Sequence, residues 1–190
     1  MGSFLLRRSM VEHGLYSIKS EFFTNLKKIG IELRDTDGNK RPTYCCIKDN
    51  KIDGLYWAIP TSDLDHRNEK QKKYYEFCIS CSDTDLRSCY YHIAKTTKYS
   101  LYKISSCFPL TDKYIDHEYT TNGVHVIMQN KYDISEIERK LRKILAFEFR
   151  KVNYFPHHIS DIRNYLVSEL EFEKSEIEAA TANEILKHLP

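Results

Sequence analysis

The 190 residues are enough for one domain that buries its own core without disulfides or a metal to complete it. A formal net charge of +2, from 29 Lys and Arg against 27 Asp and Glu, excludes a chain whose whole surface is a polyanion receptor, so any nucleic-acid contact must come from local charge. The apolar run at Phe4-Leu5-Leu6 is too short for a signal-peptide core or a membrane span, which points to a cytoplasmic protein.

Residues 1–13 read as an N-terminal extension outside the fold, vector-derived or upstream, with Met10 as an alternative start. Leu15 to Ile18 is a short strand. Ser20 to Ile29 places Phe22, Leu26 and Ile29 on one helix face, and Gly30 supplies the stop. After a polar, turn-rich stretch from Ile31 to Lys40, Thr43–Lys48 and Leu55–Ile59 form a hairpin across residues 49–54. Asn68 to Tyr75 is charged and helix-compatible, with Lys70, Lys72 and Lys73 solvated. Cys89–Ala94 and Tyr99–Ile104 are strands, and Tyr114–Tyr119 and Val124–Gln129 flank the hairpin signal Asn122-Gly123.

The period then changes. Ile134, Ile137, Leu141, Ile144, Leu145 and Phe149 keep helical spacing, with Asp133 or Ser135 as N-cap. Ile159, Ile162, Leu166 and Leu170 mark another helix after Pro156, and residues 171–190 turn acidic, which predicts a separate peripheral C-terminal helix. The expected class is α+β, a strand-rich core with helices outside it, as one domain over residues 14–170.

Chemistry concentrates in Leu55 to Arg67, where an apolar strand meets Pro60 and gives way to Thr61, Ser62, Asp63, Asp65, His66 and Arg67. A strand end holds such groups rigidly, and these offer hydroxyls, a titratable ring and an anion receptor within seven positions. The plain alternative is strand exit and helix capping by Ser62 or Asp63. Cys78-x-x-Cys81 has metal-ligand spacing but no second pair at the distance a zinc site requires, so the six cysteines read as reduced thiols, and neither metal nor cofactor is expected. Adjacent His157 and His158 read as a surface pair. Tyr56, Trp57, Tyr90 and Tyr91 could stack on bases or belong to the core. From Arg139 to Lys151 six basic residues (Arg139, Lys140, Arg142, Lys143, Arg150, Lys151) stand against Glu148 alone, which is either a solvated face or a surface that follows phosphates.

Several strings, taken in order, resemble one family. They are Gly14-Leu15-Tyr16-Ser17-Ile18-Lys19-Ser20-Glu21-Phe22-Phe23, Lys40-Arg41-Pro42-Thr43-Tyr44, Tyr56-Trp57-Ala58-Ile59-Pro60-Thr61-Ser62 and Ile104-Ser105-Ser106-Cys107-Phe108-Pro109-Leu110-Thr111-Asp112-Lys113-Tyr114-Ile115. Their order and spacing over about residues 14 to 165 are similar to the endoribonuclease toxins of bacterial type III toxin-antitoxin systems, the ToxN, AbiQ, TenpN and CptN group. The resemblance implies a compact, twisted, mostly antiparallel sheet with surrounding helices, like the MazF and Kid toxins. It also implies metal-independent RNA cleavage and a pseudoknot RNA antitoxin, which the toxin processes from tandem repeats. Toxin and RNA would assemble into closed rings and act in phage defence by abortive infection.

The active site carried over by the resemblance is Thr61 and Ser62 with Arg41, beside Lys40. Where the ToxN branch uses lysine this chain presents arginine, which can brace a phosphate with two hydrogen bonds but is a poor proton acceptor. His66 is added from the residues themselves as the proton-transfer group. The RNA-binding set comprises Lys40, Tyr44, Trp57, Arg67, Lys72, Lys73 and the six basic residues of 139–151. Two other readings stay open: a non-catalytic module binding structured RNA, and a MazF-like ribonuclease restrained by a protein antitoxin.

Overall fold

The computed structural model describes residues 10–33, 41–151 and 154–187. Within these, four helices surround a mostly antiparallel sheet, the α+β class expected. In chain order the main elements are β1 (Leu15–Ile18), α1 (Ser20–Lys28), β2 (Thr43–Lys48), β3 (Leu55–Asp63) and α2 (Glu69–Ser80). They continue with β4 (Tyr91–Lys95), β5 (Tyr99–Lys103), β6 (Phe108–Thr111), β7 (Ile115–Glu118), β8 (Thr120–Thr121), β9 (Val124–His125), α3 (Lys131–Glu148) and α4 (Ile159–Lys187). The large sheet runs β4-β5-β3-β2-β1-β7, with β6 also on β3.

Strand alternation divides the apolar side chains between two faces. Leu15, Tyr44, Trp57 and Ile59 point to the side covered by Ile137, Leu141 and Ile144 of α3. Tyr16, Cys45, Tyr56 and Ala58 point to the other, covered by Phe22 and Leu26 of α1 and Ile162 and Leu166 of α4. The sheet is therefore the middle of three layers, and β3, buried on both faces, is its centre.

Several expectations change. Residues 10–13 belong to the fold: Met10 is buried with its sulfur 3.5 Å from the Cys45 thiol, and the His13 amide donates to the Cys45 carbonyl at 2.7 Å. Phe108-Pro109-Leu110-Thr111 is a strand, paired with Leu55–Ala58 of β3. The 124–129 strand shrinks to Val124–His125, closing on Thr120–Thr121 through Asn122 and Gly123, both at positive φ as an Asn-Gly hairpin requires. The N-cap of α3 is Asn130, whose side chain accepts from the amides of Tyr132 and Asp133, instead of Asp133 or Ser135. No Gly or Pro interrupts the acidic stretch after Leu170, so it prolongs α4 and does not form a separate helix. Among the described residues no helix is long and apolar enough to cross a membrane.

Candidate active site

The site is carried by the last three residues of β3. Pro60 closes the pairing with β2, and Thr61, Ser62 and Asp63 pair instead with Tyr102, Leu101 and Ser100 of β5. The hydroxyl pair thus lies within the strand and not beyond its end, where the sequence pattern puts it. Capping is not its role either, because the N-cap of α2 is Asn68, in a reciprocal pair of hydrogen bonds with Gln71.

Thr61 and Ser62 face different tasks. The Thr61 hydroxyl donates to the Pro42 carbonyl, which also accepts the Thr61 amide at 3.3 Å. This double link fastens the Arg41-Pro42 segment to β3, and Arg41 joins the lining of a cleft of about 390 Å³ with Thr61, Ser62, His66, Arg67 and Lys98. The Ser62 oxygen is buried in that lining and hydrogen-bonds to no group among the described residues; the Arg67 Nε is in the same condition. Protein interiors rarely leave such groups unmet, since each costs about 1–3 kcal/mol.

Electrostatics at the rim are organised around Asp63. Its carboxylate takes an ion pair from Lys98, accepts the Asp65 amide at 2.9 Å and lies 3.8 Å from Nε2 of His66. The hydrogen bond from Lys98, followed by that from Asp65, holds the Asp63 carboxyl below the usual carboxylate range. The same bond pushes the Lys98 ammonium up. Both groups are therefore charged at neutral pH, and Lys98 is an electrostatic group and no base. The His66 side chain is 86% exposed, so it stands at the mouth of the cleft.

Arg41, Thr61, Ser62, His66 and Arg67 of the sequence-derived set are brought together. The remainder divides. Tyr44 and Trp57 are buried, Tyr44 edge-on to Tyr102 with its hydroxyl 3.0 Å from Nδ1 of His13, and Trp57 edge-on to Phe149. Neither ring can stack on a base without unpacking the core. Lys140 is 5% exposed and donates to the Tyr91 carbonyl at 2.9 Å, because its position on α3 faces β4. Arg139 makes two 2.9 Å bonds to Glu136, and Arg142 lies 3.2 Å from Glu138. Lys143 donates to the Asp83 carbonyl at 3.1 Å. Acids one turn N-terminal of the basic run thus neutralise much of it. Arg150 and Lys151 have no carboxylate partner among the described residues, and Arg150 bonds the Ala146 carbonyl. Lys72 pairs with Glu69 at 3.2 Å, Lys73 is exposed, and Lys40 lies outside the described residues.

Lys98 is the site residue that sequence reading missed. It stands in the β4–β5 turn, 35 residues from Asp63, and only the strand register brings the two together. Larger hollows lie at the β7 edge (about 680 Å³, lined by Lys19, Asp112 and Glu118) and beside the β8–β9 hairpin (about 720 Å³), the second lined by Lys95, Thr96 and Thr97 of the turn that carries Lys98. Among the described residues no three His, Cys, Asp or Glu side chains converge as a metal-ligand group. Cys45, Cys78, Cys89 and Cys107 are buried free thiols, and burial pushes those of Cys45 and Cys107 up, away from reactivity. No model of a known protein family matches the chain, and no curated protein matches it.

Proposed function

We propose that the protein is a cytoplasmic, metal-independent endoribonuclease toxin of the type III toxin-antitoxin kind, cleaving RNA by transesterification and restrained by a small pseudoknot RNA that it cuts from a repeat precursor. The observation that carries this reading is the pair of donors, Ser62 Oγ and Arg67 Nε, that meet no partner among the described residues and are buried in a cleft that also holds Arg41 and Lys98. An anion with several acceptor oxygens satisfies such donors, and a phosphodiester is one.

The chemistry follows from that fit. The ribose 2′-hydroxyl attacks the adjacent phosphorus, forming a 2′-O–P bond, and the P–O5′ bond breaks. Ser62 and Arg67 donate to the non-bridging oxygens, where charge grows in the phosphorane. Arg41 adds positive charge that stays in place through the reaction, and Lys98, by pairing with Asp63, offsets the carboxylate that would otherwise repel the phosphate. His66 takes the 2′-hydroxyl proton, since imidazole is the side-chain type that exchanges protons near neutrality, and a solvent water at the open mouth of the cleft protonates the leaving 5′-oxygen. The products are a 2′,3′-cyclic phosphate and a 5′-hydroxyl. Thr61 touches no reacting atom in this scheme; it positions Arg41.

Purified protein incubated with total cellular RNA in excess EDTA tests the reading, with Ser62→Ala in parallel. Cleavage by the wild type and a loss of roughly a hundred- to a thousand-fold in the variant are expected. Equal rates from the two proteins would remove Ser62 from the site, and intact RNA with both would remove the nuclease.

A further inference from the structure

We infer that a chain of aromatic rings leading from α2 across β4 to the end of α3 is a binding track for single-stranded RNA, with Lys151 as its phosphate contact; this rests on the RNA-cleaving reading above. Rings from four separate parts of the chain meet in sequence. Tyr74 of α2 lies 6.1 Å, centroid to centroid, from Tyr91 of β4, and Tyr91 lies 6.4 Å from Tyr90. Tyr90 is 6.2 Å from Phe155, which is 5.2 Å from Tyr154, and Tyr154 is 4.6 Å from Phe147 of α3. All of these pairs are edge-on, so in each pair one ring turns its edge to the other's face and keeps its own two faces free of that neighbour.

A cluster that served only the core would bury its ends. Here Tyr74 at one end is 48% exposed and Tyr154, next to the other end, is 50% exposed, while Phe155 between them is buried at 4% and the last ring, Phe147, packs half-buried against the core. Anchored rings with open faces are the stacking platforms on which unpaired bases lie without sequence preference. Charge accompanies them: the Lys151 ammonium sits 5.5 Å from the Phe147 centroid and 5.9 Å from that of Tyr154, with no carboxylate partner among the described residues. The track also leads to the cleft. Tyr75, beside Tyr74, lines a small cavity of about 200 Å³ with Leu64 and Asp65, which belong to the same loop as His66 and Arg67. The α2 end of the track thus adjoins that loop through Tyr75, which lies 4.8 Å from the Tyr91 ring, whereas a duplex hides its base faces and gains nothing from the rings.

The test is fluorescence anisotropy with a labelled twelve-nucleotide oligouridylate and with a duplex RNA of equal length. Binding is read on a Ser62→Ala background so that the probe survives, and cleavage is read on wild type in parallel. Tyr74→Ala and Tyr154→Ala should each weaken single-strand binding by at least about fivefold, the lower end of what one stacked base contributes, and spare duplex binding. Tyr74→Phe and Tyr154→Phe should keep wild-type affinity, and Lys151→Gln should reduce the slope of log affinity against log salt by about 0.7. Circular dichroism and the thermal midpoint of each variant separate a binding defect from a folding defect. If both alanine variants bind the single strand as the background does while wild type cleaves RNA, the track is overturned and the nuclease stands. Ring-dependent binding without cleavage by wild type would sink the nuclease and keep the track.

Discussion

Thr61 and Ser62 are neighbours with the same functional group and opposite duties. The Thr61 hydroxyl is spent on the Pro42 carbonyl, while the Ser62 hydroxyl is buried and meets no partner among the described residues. Their variants should therefore separate stability from activity. Ser62→Ala removes an unsatisfied group, so urea denaturation should show stability raised by about 1 kcal/mol or more, with cleavage reduced roughly a hundred- to a thousand-fold. Thr61→Val keeps the shape and loses the hydroxyl bond to Pro42, so it should cost about 1 kcal/mol of stability and also slow cleavage, because Arg41 is then held through the Thr61 amide alone. A Thr61→Val enzyme with full activity would end the positioning role. Ser62 and Arg67 are legible in the sequence because the end of β3 and the loop after it deliver them within a short stretch, whereas Arg41, ahead of β2, is reached only through the resemblance. Lys98 is not legible, because its approach to Asp63 depends on the register of β5.

Elements show how local signals are overridden. Pro109 argues against a strand in Phe108–Thr111, since proline cannot complete a ladder, yet β6 pairs through β3 alone and tolerates it. The basic run of α3 promises a phosphate-binding face, but helical spacing pairs Arg139 with Glu136 and Arg142 with Glu138 and turns Lys140 inward. Neutralising Arg150 and Lys151 together should therefore lower the salt slope of RNA binding by about 0.7–0.9 for each phosphate no longer neutralised, and neutralising Arg142 should change it less. Filter binding over a salt series reads both.

The seam between α3 and β4 makes a pH prediction. His92 is buried there, 2.9 Å from Asp133, and burial, the larger influence, pulls its imidazole below the ordinary value of 6.5 against the opposing pull of the Asp133 bond. The unfolded chain then binds the proton first, so stability is intact above pH 6.5 and falls as pH drops below it towards the folded value. Thermal midpoints measured from about pH 7.5 to 5 should decline over that window, and His92→Asn should flatten the decline. An unchanged slope in the variant would assign the acid sensitivity to other groups.

At the scale of the whole molecule, alternation in β1, β2 and β3 is enough to announce a sheet with apolar side chains on both faces, and the helical stripes of α1 and α3 announce what covers them. The order of the strands cannot be read this way, because pairings such as β1 with β7 and β3 with β5 join residues far apart in the chain. That order is what places Ser62, Arg67, Arg41 and Lys98 around one cleft. The chemistry of the RNA ends therefore tests the central claim most directly. Cleavage of a defined single-stranded RNA in EDTA, followed by end-labelling, should give 5′-hydroxyl fragments that accept phosphate from a kinase without prior phosphatase, and 3′ ends that take up a label only after the cyclic phosphate is removed. Fragments bearing 5′-phosphate, or cleavage that disappears in EDTA, would contradict transesterification by the Ser62 and Arg67 cleft.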